Sequence, residues 1–264
     1  MQPNATEKHQ IGRTGWFAGM ALKNGLAKGG CLLCQAVRTS LRRYLFRFIY
    51  EGMMSGDARN QFLETGGFCR EHYWQAKGIE QECWAEGIGV SILCENLVNL
   101  AINNLRNWIP TGIETETSIL GFRSVTNKRR KVFKSNASIG CIACAMVKSS
   151  EDHYLTSLEG MLQEPEFADR FRRSQGLCLR HLHAASGRWG SLPALELVKA
   201  TAMEYLRQLH AELQEFQRKH DYQYKHEPRG SEWSSPQRAI EFLVGPKPEL
   251  SGFDDLARTL RSRK

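Results

Sequence analysis

A pattern of three cysteines and one histidine occurs twice in the sequence and constrains the fold more than any other feature. Each copy is Cys-x-x-Cys followed, after a gap, by Gly-x-Cys-x-x-His. The eight residues are Cys31, Cys34, Cys69 and His72 in the first copy and Cys141, Cys144, Cys178 and His181 in the second. The gap between the second and third cysteines is 34 residues long in one copy and 33 in the other. We therefore predict two tetrahedral metal sites, one for each copy, each with three thiolate ligands and one imidazole.

The spacing of the ligands explains how each site forms. A Cys-x-x-Cys turn places two sulfur atoms on one ion, and the glycines before it, such as Gly30 and Gly140, are expected to let the backbone approach closely. The third cysteine and the histidine are three residues apart, so they face the same way on the first turn of a helix. Thiolate ligands favour zinc, and four protein ligands leave no open position for a substrate water, which indicates two structural zinc ions. An iron–sulfur cluster is the alternative cofactor.

Other uses of the cysteines fit the sequence less well. Disulfides need an oxidising compartment, c-type haem needs a histidine directly after the second cysteine, and a thioredoxin-like pair would lie beside a βαβ pattern. The two remaining cysteines, Cys83 and Cys94, lie in an apolar helical run and are interpreted as small core residues. His183 lies two residues after His181 and is an alternative ligand, but the symmetry of the two copies favours His181.

Composition sets broad limits on the class of protein. The chain has 264 residues, 41% of them hydrophobic, and a formal net charge of +8. No apolar run approaches the ~18 residues of a membrane span, and the polar first ten residues do not resemble a signal peptide. A reduced, cytoplasmic location is therefore expected, without a transmembrane segment.

The apolar segments repeat with helical periodicity and no convincing strand pattern appears, so we predict an all-α fold. Long helices are expected at about 80–108 and 193–220. We expect two pseudo-symmetric, zinc-pinned helical halves packed through these long helices. The predicted segments are an N-terminal extension (1–28), a first metal-binding repeat (29–110), a basic linker (111–139), a second metal-binding repeat (140–222), a loop and short helix (223–245) and a mobile tail (246–264).

The predicted linker contains a strongly basic segment. Five cationic residues lie within seven positions: Lys128, Arg129, Arg130, Lys131 and Lys134. A solvated loop is the simpler interpretation, and an anion-binding strip that contacts nucleic acid is the alternative. We refer to these five residues as the basic segment.

The chain resembles a family of uncharacterised, mostly bacterial proteins. The resemblance depends on the doubled cysteine–histidine pattern, on a tyrosine–leucine pair in each copy, and on a C-terminal series of residues. That series is Asp221-Tyr222, Trp233, Arg238-Ala239 and Gly245. The resemblance covers about residues 29–245 and implies metal binding by the eight cysteine and histidine residues. It implies no reaction, and it leaves the first 28 residues, the basic segment and the tail outside the pattern.

The sequence favours a non-catalytic zinc-binding module that interacts with an unknown protein partner. It contains no phosphate-binding or dinucleotide-binding glycine loop and no His-Glu-x-x-His motif. Two alternatives stay open: a thiol- or metal-based redox switch, and an iron–sulfur protein that transfers electrons.

Overall fold

The computed structural model describes residues 17–51, 55–83, 87–106, 117–119, 122–124 and 140–247. The described residues form an all-α fold, as predicted. The helices are α1 (17–27), α2 (Leu32–Tyr50), α3 (Gly56–Glu64), α4 (Arg70–Cys83), α5 (Ile88–Arg106), α6 (Ile142–Met161), α7 (Pro165–Arg172), α8 (Leu179–Ser186), α9 (Leu192–Arg218) and α10 (Ser235–Val244). A 3-10 turn, Ser231–Ser234, precedes α10. No helix in these ranges is both long enough and apolar enough to cross a membrane.

One short hairpin of two three-residue strands also occurs among the described residues, and it leaves the all-α fold class unchanged. Strand β1 (Thr117–Ile119) pairs antiparallel with β2 (Phe122–Ser124). The register pairs Thr117 with Ser124, Ser118 with Arg123 and Ile119 with Phe122. Three residues a strand are too few to produce a visible alternation in the sequence.

The predicted long helix from residue 80 to 108 is two helices, α4 and α5. The carboxylate of Glu80, buried in α4, accepts hydrogen bonds from the backbone N–H groups of Gly89 and Val90 in the first turn of α5. It therefore satisfies donors that the start of a helix leaves unpaired. A Cβ atom at Gly89 would lie 2.6 Å from Ile49 Cγ2 and 2.7 Å from Glu80 Oε1, so this position requires glycine.

The C-terminal segment is held against α9, which lies close to its predicted range. The buried Glu232 accepts a hydrogen bond from Lys219 Nζ at 2.9 Å, and Arg238 pairs with Glu212. The ring of Trp233 stacks on His220, with centroids 5.1 Å apart. These contacts give a structural role to Trp233 and Arg238, two residues of the C-terminal series.

The described residues divide into two compact units. One contains residues 17–43 and 146–247, and the other lies within 44–145. The predicted repeats, 29–110 and 140–222, follow the sequence pattern rather than this division and stay a prediction. In the first unit, Ala18 and Leu22 of α1 belong to the buried core, so part of the predicted N-terminal extension is integral to that unit. In the second, Phe48, Phe62, Phe68 and Tyr73 form an aromatic cluster.

The exposure of individual residues tests further predictions made from the sequence. Cys83 and Cys94 are exposed, so their interpretation as core residues was wrong; each occupies the solvent side of a helix whose opposite side is buried. By contrast, Phe62 and Phe171, each seven residues before the third cysteine of its copy, are both fully buried. The basic segment, and the predicted tail from residue 248 onward, lie outside the described residues.

Candidate metal centres

All four ligand pairs lie at the start of a helix. In each pair, the backbone carbonyl of the first cysteine accepts the first hydrogen bond of the helix, from the residue four positions later. These bonds are Gln35 N to Cys31 O, Tyr73 N to Cys69 O, Ala145 N to Cys141 O and Leu182 N to Cys178 O, at 2.9 to 3.1 Å. Each first cysteine is therefore the N-cap, and the second ligand follows in the first turn. The positive end of a helix dipole stabilises a thiolate there, which favours metal binding.

Glycines with left-handed backbone conformations precede every ligand pair. Gly30 and Gly140, directly before the Cys-x-x-Cys motifs, have φ values of 71° and 85°. No heavy atom lies within 4 Å of an ideal Cβ on Gly140, so conformation rather than crowding explains this glycine. At Gly67, which lies two residues before Cys69, both reasons apply: φ is 87° and a Cβ would lie 2.7 Å from Leu97 Cδ1.

The first group of ligand atoms, cluster 1, combines the first Cys-x-x-Cys with the second Cys-x-x-His. It consists of Cys31, Cys34, Cys178 and His181. The Nδ1 atom of His181 lies 3.3, 3.4 and 3.2 Å from the sulfur atoms of Cys31, Cys34 and Cys178. All four residues are at least 92% buried, since the most exposed of them, Cys34, retains only 8% of its accessible surface. Cluster 1 is therefore an interior site of the first compact unit.

Cluster 2 contains the complementary ligands, Cys69, His72, Cys141 and Cys144. The Nδ1 atom of His72 lies 3.1, 3.4 and 3.4 Å from the sulfur atoms of Cys69, Cys141 and Cys144. His72 is buried, Cys69 and Cys141 are partly exposed, and Cys144 is exposed. Cluster 2 thus repeats the geometry of cluster 1 at a more accessible position of the second unit.

The predicted assignment of one site to each copy was wrong, because both clusters take two ligands from each copy. All eight predicted residues are brought together, but each Cys-x-x-Cys pair lies with the Cys-x-x-His pair of the other copy, an arrangement that we call crosswise. Either pairing gives each site one Cys-x-x-Cys and one Cys-x-x-His, so ligand chemistry does not distinguish them. Loop-closure entropy also differs little: the 144-residue separation of Cys34 and Cys178 costs only about 1 kcal/mol more than a 34-residue gap. Neither ligand chemistry nor loop length therefore selects the pairing, and the ligand spacing does not reveal it.

The distances between sulfur atoms match a single tetrahedral ion. Cys34 and Cys178 sulfurs are 3.7 Å apart, and those of Cys69 and Cys144 are 3.8 Å apart. With metal–sulfur bonds of about 2.3 Å, the edge of a tetrahedron is roughly 3.8 Å long. Each cluster can therefore hold one metal ion at its centre, with all four ligands bound.

The electrostatics of both clusters favour a bound cation. In cluster 1, hydrogen bonding to Cys31 and Cys34 lowers the pKa of Cys178. Burial alone would lower the pKa of His181, but the sulfurs of Cys178 and Cys31 raise it to about 11. In cluster 2, the pKa of Cys144 is raised to about 12, because its sulfur, although the residue is exposed, is partly desolvated and lies beside Cys141 and Cys69. Without a metal, the closely spaced sulfur atoms therefore favour a protonated histidine in cluster 1 and a protonated thiol in cluster 2. A divalent ion would stabilise all three thiolates of a cluster at once.

A carboxylate that the sequence did not reveal contacts cluster 1. Oε1 of Glu151, on α6, lies 3.4 Å from His181 Nε2, the ring nitrogen that faces away from the cysteines. Hydrogen bonding to His181, together with the neighbouring Arg180, lowers the pKa of Glu151 despite its partial burial. Metal-binding histidines usually donate their second N–H group to such a partner. The sequence gives no signal for Glu151, because the proximity of α6 and α8 at this point is a tertiary feature.

The alternative ligand His183 is exposed and belongs to neither cluster.

Comparison with known proteins identifies a family. The family model described as "Family of unknown function (DUF6062)" matches residues 21–250, a range that includes part of α1 as well as the basic segment. No curated protein and no solved structure matches the chain.

Proposed function

The chain belongs to the DUF6062 family of unknown function, and we propose from its two clusters that it is a non-catalytic helical module with two structural zinc ions. The observation that carries the proposal is the pair of four-ligand groups whose ligand atoms all lie within 4.8 Å of one another. Four protein ligands saturate a tetrahedral zinc ion, whereas catalytic zinc sites keep one position for water or substrate.

The donor set supports zinc in preference to other ions. Three thiolates and one imidazole are soft ligands, which do not suit magnesium or calcium. In an iron–sulfur cluster the cysteines are divided among two or four iron atoms, and four cysteines are the usual ligands. Sulfur atoms 3.7 Å apart, each in reach of the same imidazole nitrogen, favour one mononuclear ion over a cluster.

The metals would act as crosslinks in the chain. Cluster 1 joins residues 144 positions apart, and cluster 2 joins residues 69 positions apart. Each ion would hold the N-termini of two helices at one point: α2 with α8 in cluster 1, and α4 with α6 in cluster 2. Because the free energy of metal binding adds to that of folding, removal of the ions is expected to destabilise the helical units.

An interaction role is the further part of the proposal. The sequence contains none of the catalytic motifs discussed above, and its closed sites offer no coordination position for chemistry. A module of this kind would act by presenting a surface that its metals keep folded. The identity of a protein partner and a role for the basic segment in nucleic-acid binding stay predictions.

Metal analysis of protein purified without oxygen tests the proposal. We expect colourless protein with two zinc ions per chain, and a loss of helical circular dichroism and thermal stability when a chelator removes them. Cys83→Ser is the matched control, because this exposed cysteine belongs to neither cluster, and it should retain both ions. A brown iron-containing protein, or protein that folds equally well without bound metal, would contradict the proposal.

A further inference from the structure

The two clusters have the same ligands but very different access to solvent. In cluster 1 every ligand residue is buried, and Cys178 has no accessible surface. In cluster 2 three of the four ligands are at least partly accessible, and Cys144 is exposed. A competing ligand must reach a thiolate before it can displace it from a metal. Access therefore favours metal exchange at cluster 2.

The histidine ligands of the two clusters also differ in their carboxylate partners. Glu151 lies ten residues after Cys141 and contacts His181 of cluster 1 through Nε2. The matched position, ten residues after Cys31, is Leu41, which has no hydrogen-bonding side chain. Among the described residues, no hydrogen bond or ion pair joins a carboxylate to His72, and the neighbouring Glu71 acts on it only through its charge. A histidine with a carboxylate partner is held in one tautomer and orientation, whereas His72 of cluster 2 has no such support.

The crosswise pairing makes one loop lie inside the other. The chain segment closed by cluster 2, from His72 to Cys141, lies entirely within the segment closed by cluster 1, from Cys34 to Cys178. Opening cluster 2 therefore releases an internal segment while the longer loop stays closed. The module can lose this metal without losing the crosslink between its distant ends.

We propose that cluster 1 is a permanent structural metal site, in which Glu151 positions His181, and that cluster 2 is an exchangeable metal site. This inference rests on the proposed function, since it assumes that both clusters bind metal. The exchange is a ligand substitution at a divalent ion: the donor atoms of a chelator replace the thiolates of cluster 2, and the freed thiolates take up protons from water or bind another soft divalent ion, so no group is oxidised or reduced. Competing chelators and other soft divalent ions are the chemical class that would act there.

Metal exchange on the wild-type protein gives the first test. Zinc-loaded protein is mixed with a chelator, and a thiol-alkylating reagent marks each cysteine as it becomes free. We expect two phases of zinc release, with Cys69, Cys141 and Cys144 labelled in the fast phase and the cysteines of cluster 1 in the slow phase. Simultaneous release of the two ions, or earlier labelling of cluster 1, would overturn the inference.

Substitution of Glu151 gives the second test. Glu151→Leu copies the residue at the matched position, so we expect the zinc affinity of cluster 1 to fall about 10- to 100-fold while that of cluster 2 is unchanged. Asp152→Asn is the control, because this neighbouring carboxylate pairs with Arg188 rather than with a ligand. Glu151→Gln keeps an acceptor oxygen and should restore part of the affinity, which a general loss of packing would not do.

Nitrogen-15 NMR of His181 reports positioning directly. In the zinc-loaded wild type, we expect metal-bound Nδ1 and protonated Nε2, with broadening of the Nε2 signal in Glu151→Leu. Unchanged affinity and an unchanged histidine spectrum in this variant would overturn the role of Glu151. Wild-type protein that binds no metal would instead refute the proposed function, and this inference with it.

Discussion

Replacement of Cys178 by serine separates the crosswise pairing from the pairing of ligands within each copy. Cys178 is a fully buried ligand of cluster 1, and its sulfur lies 3.7 Å from that of Cys34. In the crosswise arrangement, Cys178→Ser frees Cys31 and Cys34, whereas Cys141 keeps its metal. Pairing within the second copy would predict the reverse. The assay is alkylation of zinc-loaded protein, followed by mass spectrometry of each cysteine-containing peptide.

The loop-closure free energies of the two clusters show why cysteine labelling, rather than a stability measurement, is decisive. In the chain-entropy model, closing the 144-residue loop between Cys34 and Cys178 stabilises the folded chain by about 5 kcal/mol. The 75-residue loop between Cys69 and Cys144 gives about 4.5 kcal/mol. Both losses are large beside the ~5–15 kcal/mol stability of a typical domain, and they differ too little to identify the pairing.

A mirrored variant provides the control for unfolding. Cys69→Ser should free Cys141 and Cys144 while the cysteines of cluster 1 stay protected. If Cys178→Ser unfolds the chain and exposes every cysteine, this variant still distinguishes the two pairings. The reasoning is refuted if Cys178→Ser leaves Cys31 and Cys34 protected and releases Cys141 and Cys144.

Three further predictions concern regions outside the clusters. Gly89→Ala should destabilise the protein by about 1–3 kcal/mol in urea unfolding, because its Cβ would be crowded. Its matched control is Gly160→Ala, which has no atom within 4 Å of its Cβ and should be neutral or stabilising by about 0.5–1 kcal/mol. Hydrogen bonding from Gly230 N–H and from Lys219 lowers the pKa of Glu232 from 4.5 to about 2. The contribution of the ionised Glu232 to the free energy of unfolding is therefore complete above pH 4.5 and is lost as the pH falls towards 2. Glu232→Gln should flatten that part of a stability–pH curve, and an unchanged slope would contradict this role. If the basic segment binds nucleic acid, its five phosphate contacts should give a log–log salt dependence of roughly −4, and replacement of all five residues by alanine should abolish it; equal binding by that variant would refute the idea.

Local sequence chemistry predicted the ligands and their helix starts. The i, i+3 spacing of Cys178 and His181 requires the first turn of a helix, and α8 begins there. Helical apolar periodicity likewise predicted a long helix at about 193–220, and α9 spans Leu192–Arg218. These features depend on residues close together in the chain, whose geometry follows from helix periodicity.

Tertiary choices could not be predicted in the same way. Pairing within each copy and pairing across the copies both give each metal ion three cysteines and one histidine. Their loop-closure entropies are also similar, so the ligand spacing does not reveal the crosswise arrangement. The break between α4 and α5 was missed because the capping carboxylate of Glu80 comes from the preceding helix. Glu151 was missed because nothing local distinguishes a carboxylate beside His181 from any other acidic residue on a helix surface.

X-ray absorption at the zinc edge tests the central claim most directly. Two closed sites with three thiolates and one imidazole predict an average of three sulfur neighbours at about 2.3 Å and one nitrogen at about 2.0 Å around each ion. The signal should correspond to two zinc ions per chain and should not change when substrate-like anions are added. Additional oxygen ligands, an average of four sulfurs, or an iron signal in place of zinc would contradict the account.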